Sequence, residues 1–284
     1  MRSWLLAREA ERDAEVMGDK SLLAKAGVLA ANALWKMGDY VTAQKHYIKA
    51  SEYCLELNDR NGLGNALCGL GIVHASLKDY PQALNYFEKA LTESEAAGNQ
   101  KRSANCIGNI GSVYHYLENY TKAEAFFHKA LEIHEQLNDS NGIANMLNGL
   151  AGVKVYQGNF NEAHGYLDRY MAIQTTAENN YGIATGLMNY GILYYKKSDY
   201  KQAIHFLEKA MLHADSTKVR SVKYGIHKNL ADVYTDMGKS EKALEHYTHY
   251  FEIEKEMKAK EIKQKAEMFG RRKEAETAAE KKRS

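Results

Sequence analysis

The sequence predicts an all-α solenoid, in which helix-turn-helix units stack one on the next. Within each unit, apolar or small residues recur at i, i+3, i+4 and i+7, which is the period of a helix with one buried face. The single proline, Pro81, falls in the first turn of a helix, where a missing amide hydrogen costs little. The third observation is a 40-residue period, seen in Ala43, Ala83, Ala123, Ala163, Ala203 and Ala243. Units this small must stack to bury their apolar faces.

The repeat divides the chain into a leading segment, six units and a tail. Residues 1–20 match only the back half of a unit, since Ala10 falls in the column of Ala50 and Ala90. We expect a half-repeat or a capping helix there. Residues 259–284 are expected to form a charged exiting helix or linker. The six units are predicted at 21–60, 61–100, 101–140, 141–180, 181–220 and 221–258.

Each unit reads as two helices joined by a turn. In the turn of the first unit, Asp39 precedes Tyr40, and Asp or Asn at this position is a natural N-cap for the second helix. Two helices per unit and the leading helix give about thirteen in all, with turns near 38–40 and every 40 residues after. The first helix also carries a column of small residues, as expected where two helices approach closely: Gly71, Gly111, Ala151, Gly191 and Ala231.

This combined pattern resembles the tetratricopeptide repeat, whose usual unit is about 34 residues long. The resemblance covers residues 1 to about 258 and implies a right-handed superhelical solenoid. The longer unit is similar to the repeats of Pins-type spindle adaptors, kinesin light chains and many bacterial signalling proteins. Because this scaffold serves many functions, the resemblance indicates the fold more than the biological role.

Asparagine recurs on the face of the first helices that stacking would turn toward a concave groove. Its side chain offers a donor and an acceptor, which suits the main chain of an extended peptide. Such asparagine ladders hold extended partners in the Pins and kinesin light chain families, and nearby tyrosines would form pockets for partner side chains. Alternatively, the asparagines define inter-helix geometry and the tyrosines pack at the groove edge. The expected peptide-binding residues are Asn65, Asn105, Asn109, Asn145, Asn148, Asn189, Asn229, Tyr116, Tyr156 and Tyr195.

No motif predicts catalysis, a metal or a cofactor. The sequence lacks a phosphate-binding glycine loop, a nucleophile elbow and an HExxH motif. His246 and His249 share a helical face, but no carboxylate or cysteine completes a zinc site. Three cysteines predict buried thiols in a reducing compartment. Since no signal peptide or apolar run of ~18 residues is present, we expect a cytoplasmic protein without a membrane span.

The charge is concentrated in the tail. The chain has a net charge of +2, yet residues 259–284 hold nine basic residues against five glutamates. The repeats are therefore not basic, and we expect no nucleic-acid partner. The run from Glu280 to Ser284 resembles the helix that follows the repeats of bacterial class III adenylate or guanylate cyclases. Ile262, Ala266 and Phe269 have coiled-coil spacing, which indicates a homodimer through the C-terminal helix.

The sequence thus predicts a non-catalytic interaction and sensory region. The cyclase resemblance implies the input segment of a class III nucleotide cyclase or a similar signalling protein. The alternative is a stand-alone adaptor that binds an extended peptide in its asparagine-lined groove. A third class, an enzyme in its own right, needs a constellation of residues that the sequence does not show.

Overall fold

The structure is a computed structural model that describes residues 2–216, 220–259 and 262. In this part of the chain all regular structure is α-helical and no strand occurs. The predicted all-α class and the predicted count of thirteen helices are confirmed. The helices are α1 Arg2–Met17, α2 Lys20–Lys36, α3 Tyr40–Glu56, α4 Arg60–Ser76, α5 Tyr80–Ala96, α6 Gln100–Tyr116, α7 Tyr120–Gln136, α8 Ser140–Tyr156, α9 Phe160–Thr176, α10 Asn180–Lys196, α11 Tyr200–Asp215, α12 Arg220–Asp236 and α13 over 240–259.

The helices form two compact units. The first holds α1–α5, and the second holds α6–α12 and α13 as far as residue 255. In the first unit α1 packs on α2, and Trp4 of α1 joins a core that includes Leu34, Tyr47 and Leu70. In the second unit each helix from α6 to α12 packs on the next, and α6, α8, α10 and α12 also contact one another in sequence. The tail residues used above, other than Ile262, lie outside the described residues.

In the pairs α4–α5, α6–α7 and α10–α11, a large side chain of the second helix lies on a small residue of the first. A Cβ added at Gly71 would lie 2.6 Å from the Phe87 ring. In the same way, a Cβ at Gly111 would lie 3.0 Å from the ring of Phe127. In both pairs the aromatic residue follows the glycine by 16 positions. The small-residue column therefore makes room for a side chain, rather than only for the partner backbone that the sequence led us to expect.

Within the described residues, turns recur every 20 residues from residue 18 to residue 198 and again at residue 238, and they share one geometry. Each contains a residue with positive φ, and the next residue bonds to the carbonyl five positions earlier, as Asn159 N does to Lys154 O at 2.8 Å. Asp39 then accepts the N–H of Thr42, as predicted for an N-cap, whereas Asn159 begins α9 without a side-chain cap. The positive-φ residues of the described chain are Gly18, Gly38, Asn58, Lys78, Gly98, Glu118, Asn138, Gly158, Glu178, Ser198 and Gly238.

Histidines join the last two helices. His227 Nδ1 of α12 lies 3.1 Å from His246 Nδ1 of α13, and the ring of His249 is centred 4.9 Å from that of His227. Burial, the two other histidines and Lys223 lower the pKa of His227 to about 4, against an opposing effect of Asp215. His227 is therefore neutral near neutral pH. Within the described residues no group of three or more His, Cys, Asp or Glu side chains has the geometry to hold a metal ion.

Two glycine substitutions test the turn geometry. Gly158 has a φ of +78°, Gly165 lies inside α9, and an added Cβ meets no atom within 4 Å at either position. We expect Gly158→Ala to lower the free energy of unfolding by about 1 kcal/mol, because alanine is strained at positive φ. Gly165→Ala should raise it by roughly 0.5–1 kcal/mol, since alanine is the better helix former. Urea denaturation followed by circular dichroism measures both changes, and changes of the same sign would contradict this account.

Acid should weaken the packing of α12 and α13. Because the pKa of His227 is about 4 in the folded chain and ordinarily 6.5, the unfolded chain binds more protons between these pH values. The contribution of neutral His227 to stability is therefore fully present above pH 6.5 and is lost as the pH drops toward 4. We expect the melting temperature of His227→Gln to depend less on pH over this interval than that of the unsubstituted protein. Equal slopes for the two proteins would exclude His227 as the cause.

Candidate functional site

The first helices of the second unit present one continuous face. We define the groove face as a surface of α6, α8, α10 and α12. It surrounds four columns of residues 40 positions apart, which begin at Asn105, Asn109, Ser112 and Tyr116. Residues about 40 positions apart are neighbours across this face, since the Tyr195 hydroxyl of α10 donates to Asp236 of α12 at 2.7 Å. The repeat period therefore places equivalent side chains of successive first helices side by side.

Four of the predicted asparagines form two pairs that differ in exposure and in hydrogen bonding. Asn105 and Asn145 are exposed, and their side chains make no hydrogen bond within the described part of the chain. Asn148 and Asn189 are half-buried, and the Asn189 amide donates to the Asn148 carbonyl oxygen across the α8–α10 contact. The face thus holds two exposed amides on α6 and α8 next to a bonded pair on α8 and α10.

The other three asparagines are placed differently. Asn109 is half-buried on α6, in the column next to the exposed amides. Asn229 bonds to its own helix, donating to the Gly225 carbonyl at 2.8 Å. Asn65 is exposed on α4 of the first unit. The structure therefore brings six of the seven predicted asparagines together on one unit.

The three predicted tyrosines differ in exposure. Tyr116 is 66% exposed and Tyr156 is 52% exposed, while Tyr195 is half-buried. Burial and the hydrogen bond to Asp236 raise the pKa of the Tyr195 hydroxyl. The ammonium group of Lys196, which the sequence analysis did not select, lies 5.6 Å above the Tyr156 ring and 5.9 Å above that of Tyr195.

Between α6, α8 and α10 the groove face opens into a pocket of about 270 Å³. Two of the tyrosines and both members of the bonded asparagine pair line it. Much of the remaining lining is apolar and comes from Phe127, Val155, Leu167 and Ile192. This pocket joins hydrogen-bonding amides to apolar surface, which is the usual composition of a binding site.

His115 is a pocket residue that the sequence analysis missed. Its Nε2 atom is buried and has no hydrogen-bond partner in the described chain, and burial lowers the pKa of its ring. Its ring is packed against Tyr116, Tyr120 and Tyr156, with centroids 6.0, 5.7 and 5.5 Å away. The only sign of it in the sequence was a polar histidine at a position where the next 40-residue repeat has the apolar Val155. The neutral ring contributes a polar atom without adding charge.

Two glycines of α8 line the same pocket with different surroundings. A Cβ at Gly149 would lie 2.7 Å from Cζ of Phe127, so this glycine seats the ring. A Cβ at Gly152 would lie 3.5 Å from His115 Nε2 and would meet no other side chain or neighbouring helix within 4 Å. The space above Gly152 is therefore open.

The sequence profile of the tetratricopeptide repeat matches four ranges, 23–92, 102–176, 143–216 and 182–256, of which the last three overlap. Together these ranges span well over half of the chain. The chain belongs to the tetratricopeptide repeat family. No curated protein sequence matches it.

Solved structures with the tetratricopeptide repeat fold resemble the chain along most of its length. The apo form of RapI is 20% identical, with 89% of this chain and 90% of that chain covered and a TM-score of 0.75. A Rap protein complexed with competence and sporulation factor is 15% identical, with 90% and 69% covered and a TM-score of 0.72. NprR in complex with its cognate peptide NprX is 18% identical, with 88% and 76% covered and a TM-score of 0.66. At these identities the likeness shows the fold alone.

The groove face combines exposed amides, tyrosine side chains and a partly apolar pocket. Tetratricopeptide repeats are typically non-catalytic scaffolds that bind proteins or peptides. The Lys228 ammonium on this face is bonded to Asp232 at 3.1 Å, so its charge is largely compensated. Among the described helices none is long and apolar enough to cross a membrane.

Alanine substitutions at the two pocket glycines should show which glycine is tightly packed and which faces open space in this tetratricopeptide repeat protein. We expect Gly149→Ala to lower the free energy of unfolding by about 1–3 kcal/mol, because the added methyl group displaces the Phe127 ring. Gly152→Ala should leave stability unchanged or raise it by up to about 1 kcal/mol, since the methyl group enters open space and alanine favours the helix. Urea titration of both variants checks this, and a large loss for Gly152→Ala would show that the position is packed.

Proposed function

We propose that the second unit binds an extended peptide segment along the groove face, and that this binding serves regulation. The observation that carries the proposal is the set of amides on one face, with Asn105 and Asn145 exposed and Asn148 and Asn189 beside them. A primary amide donates and accepts, and it can therefore pair with both the N–H and the C=O of an extended main chain.

The spacing of the helices suits such a ligand. Packed helices lie about 8–10 Å apart, and an extended chain advances about 3.3 Å per residue. Amides on α6, α8 and α10 that stand in the same or in neighbouring columns would therefore meet main-chain groups about three residues apart. A segment of roughly seven residues would span the three helices.

Structural neighbours support a peptide ligand by analogy of fold. The Rap and NprR structures described above were solved with competence and sporulation factor and with the peptide NprX. A Rap conjugation gene regulator with the same fold was solved with the Phr* peptide. Because fold does not determine function, the groove-face amides remain the main argument.

A second part of the proposal concerns the kind of signalling protein in which this region acts. We propose that the region is a cytoplasmic input segment of a class III cyclase or a similar signalling protein, with a stand-alone adaptor as the alternative. The resemblance that suggests a cyclase rests on the run from Glu280 to Ser284, which lies outside the described residues. A homodimer through the C-terminal helix belongs to the same proposal. Sedimentation equilibrium of residues 1–284 and 1–258 tests it, because the dimer should be lost with the tail.

The peptide proposal is tested by removing amides. Dodecapeptides selected from a random display library on the unsubstituted protein serve as probes, with affinities measured by calorimetry. The combined variant Asn105→Ala, Asn109→Ala and Asn145→Ala should weaken binding by about 0.5–1.5 kcal/mol per lost hydrogen bond. Asn161→Ala, an exposed asparagine on α9, is the matched control and should have no effect. Unchanged affinity of the triple variant would place the peptide elsewhere.

A further inference from the structure

We propose that the pocket between α6, α8 and α10 receives one aromatic side chain of the bound peptide. This inference rests on the proposed function and adds the specificity of the site. The pocket, at about 270 Å³, lies below the roughly 300–1,000 Å³ of sites for drug-sized ligands. It is therefore suited to a single side chain rather than to a separate small molecule.

The position of the pocket makes a peptide side chain its natural occupant. Asn148 and Asn189 line the pocket and belong to the amides that would hold the peptide main chain. A residue held by this pair has its Cα next to the opening. Its side chain then enters the space above Gly152, where an added Cβ meets only His115 Nε2.

The lining favours an aromatic guest. Leu167 and Ile192 supply apolar surface, and the rings of His115 and Tyr156 stand edge to face at 74° with centroids 5.5 Å apart. A third ring in this cluster would gain about 0.5–1.5 kcal/mol beyond the burial of its area. An aliphatic side chain would gain only the free energy of burying its apolar area.

The same lining disfavours charged guests. Burial lowers the pKa of His115, so the ring is neutral near neutral pH and offers no charge to pair with a carboxylate. The ammonium of Lys196 lies over the Tyr156 ring and is not part of the lining, so it repels a lysine or arginine at the opening but does not pair with a carboxylate inside the pocket. A buried charge without a partner is costly, which leaves uncharged side chains as guests.

A thermodynamic cycle between pocket and peptide tests the proposal. Gly152→Ala places a methyl group in the open space and narrows the pocket, and Gly165→Ala is the same substitution on α9 at a position that does not line the pocket. Dodecapeptides selected on the unsubstituted protein should share an aromatic residue at one position. Replacing it by alanine should weaken binding about tenfold or more on the unsubstituted protein and on Gly165→Ala. On Gly152→Ala the same replacement should cost at least about threefold less than on Gly165→Ala, because the methyl group keeps the aromatic ring from entering to its full depth.

The outcomes separate this inference from the proposed function. Selected peptides that lack a shared aromatic residue, or an equal cost of its replacement on Gly152→Ala, would overturn the pocket assignment. The groove proposal would survive if the asparagine triple variant still weakened those peptides. Peptides that bind the triple variant unchanged, or a library that yields no binder, would overturn both. Ile192→Ala, which removes apolar lining, gives a second readout and should weaken the aromatic peptides on the same grounds.

Discussion

The structure depends on one recurrent contact, in which a large side chain of a second helix lies on a small residue of the first. Gly191, for instance, leaves no room for a methyl group, since a Cβ there would lie 2.6 Å from Leu207. Because overpacking such a contact costs about 1–3 kcal/mol, the small residue and its large partner are fixed together. The large side chain holds one side of the first helix, and the remaining side is left to form the groove face.

Local signals made the fold predictable. The helical periodicity and the Asp or Asn before the second helices α3, α5, α7, α9 and α11 are apparent within a few residues, and the column of Ala43 and its equivalents shows how often they repeat. Together they predict the helices and turns. The side chain of Asn159 departs from the capping pattern. The pocket was not predictable, because a column indicates which face a residue occupies and not how deeply the surface is indented. Gly149 and Gly152 occur three residues apart and differ only in what lies above them.

The hydrogen bonds of the groove-face asparagines were also not predictable from the sequence. Asn148 and Asn189 stand in neighbouring columns rather than in one, so the register alone did not indicate that they bond. Asn229 has the same residue type and column as Asn189, yet it bonds to its own helix. Side-chain hydrogen bonds of this kind are decided by rotamers and by the local opening between helices. A sequence column therefore gives a set of candidates, and the contacts determine which of them face a ligand.

The turns also bear on how the array comes apart. In the described chain six of the eleven positive-φ residues carry a side chain, and four of these six are not asparagine, namely Lys78, Glu118, Glu178 and Ser198. Each such residue costs on the order of 1 kcal/mol relative to a relaxed backbone, which is a sizeable fraction of a domain's total stability of about 5–15 kcal/mol. Strain is thus distributed at regular intervals along the chain. An array of this kind loosens one turn at a time, with its helices intact, before it unfolds as a whole.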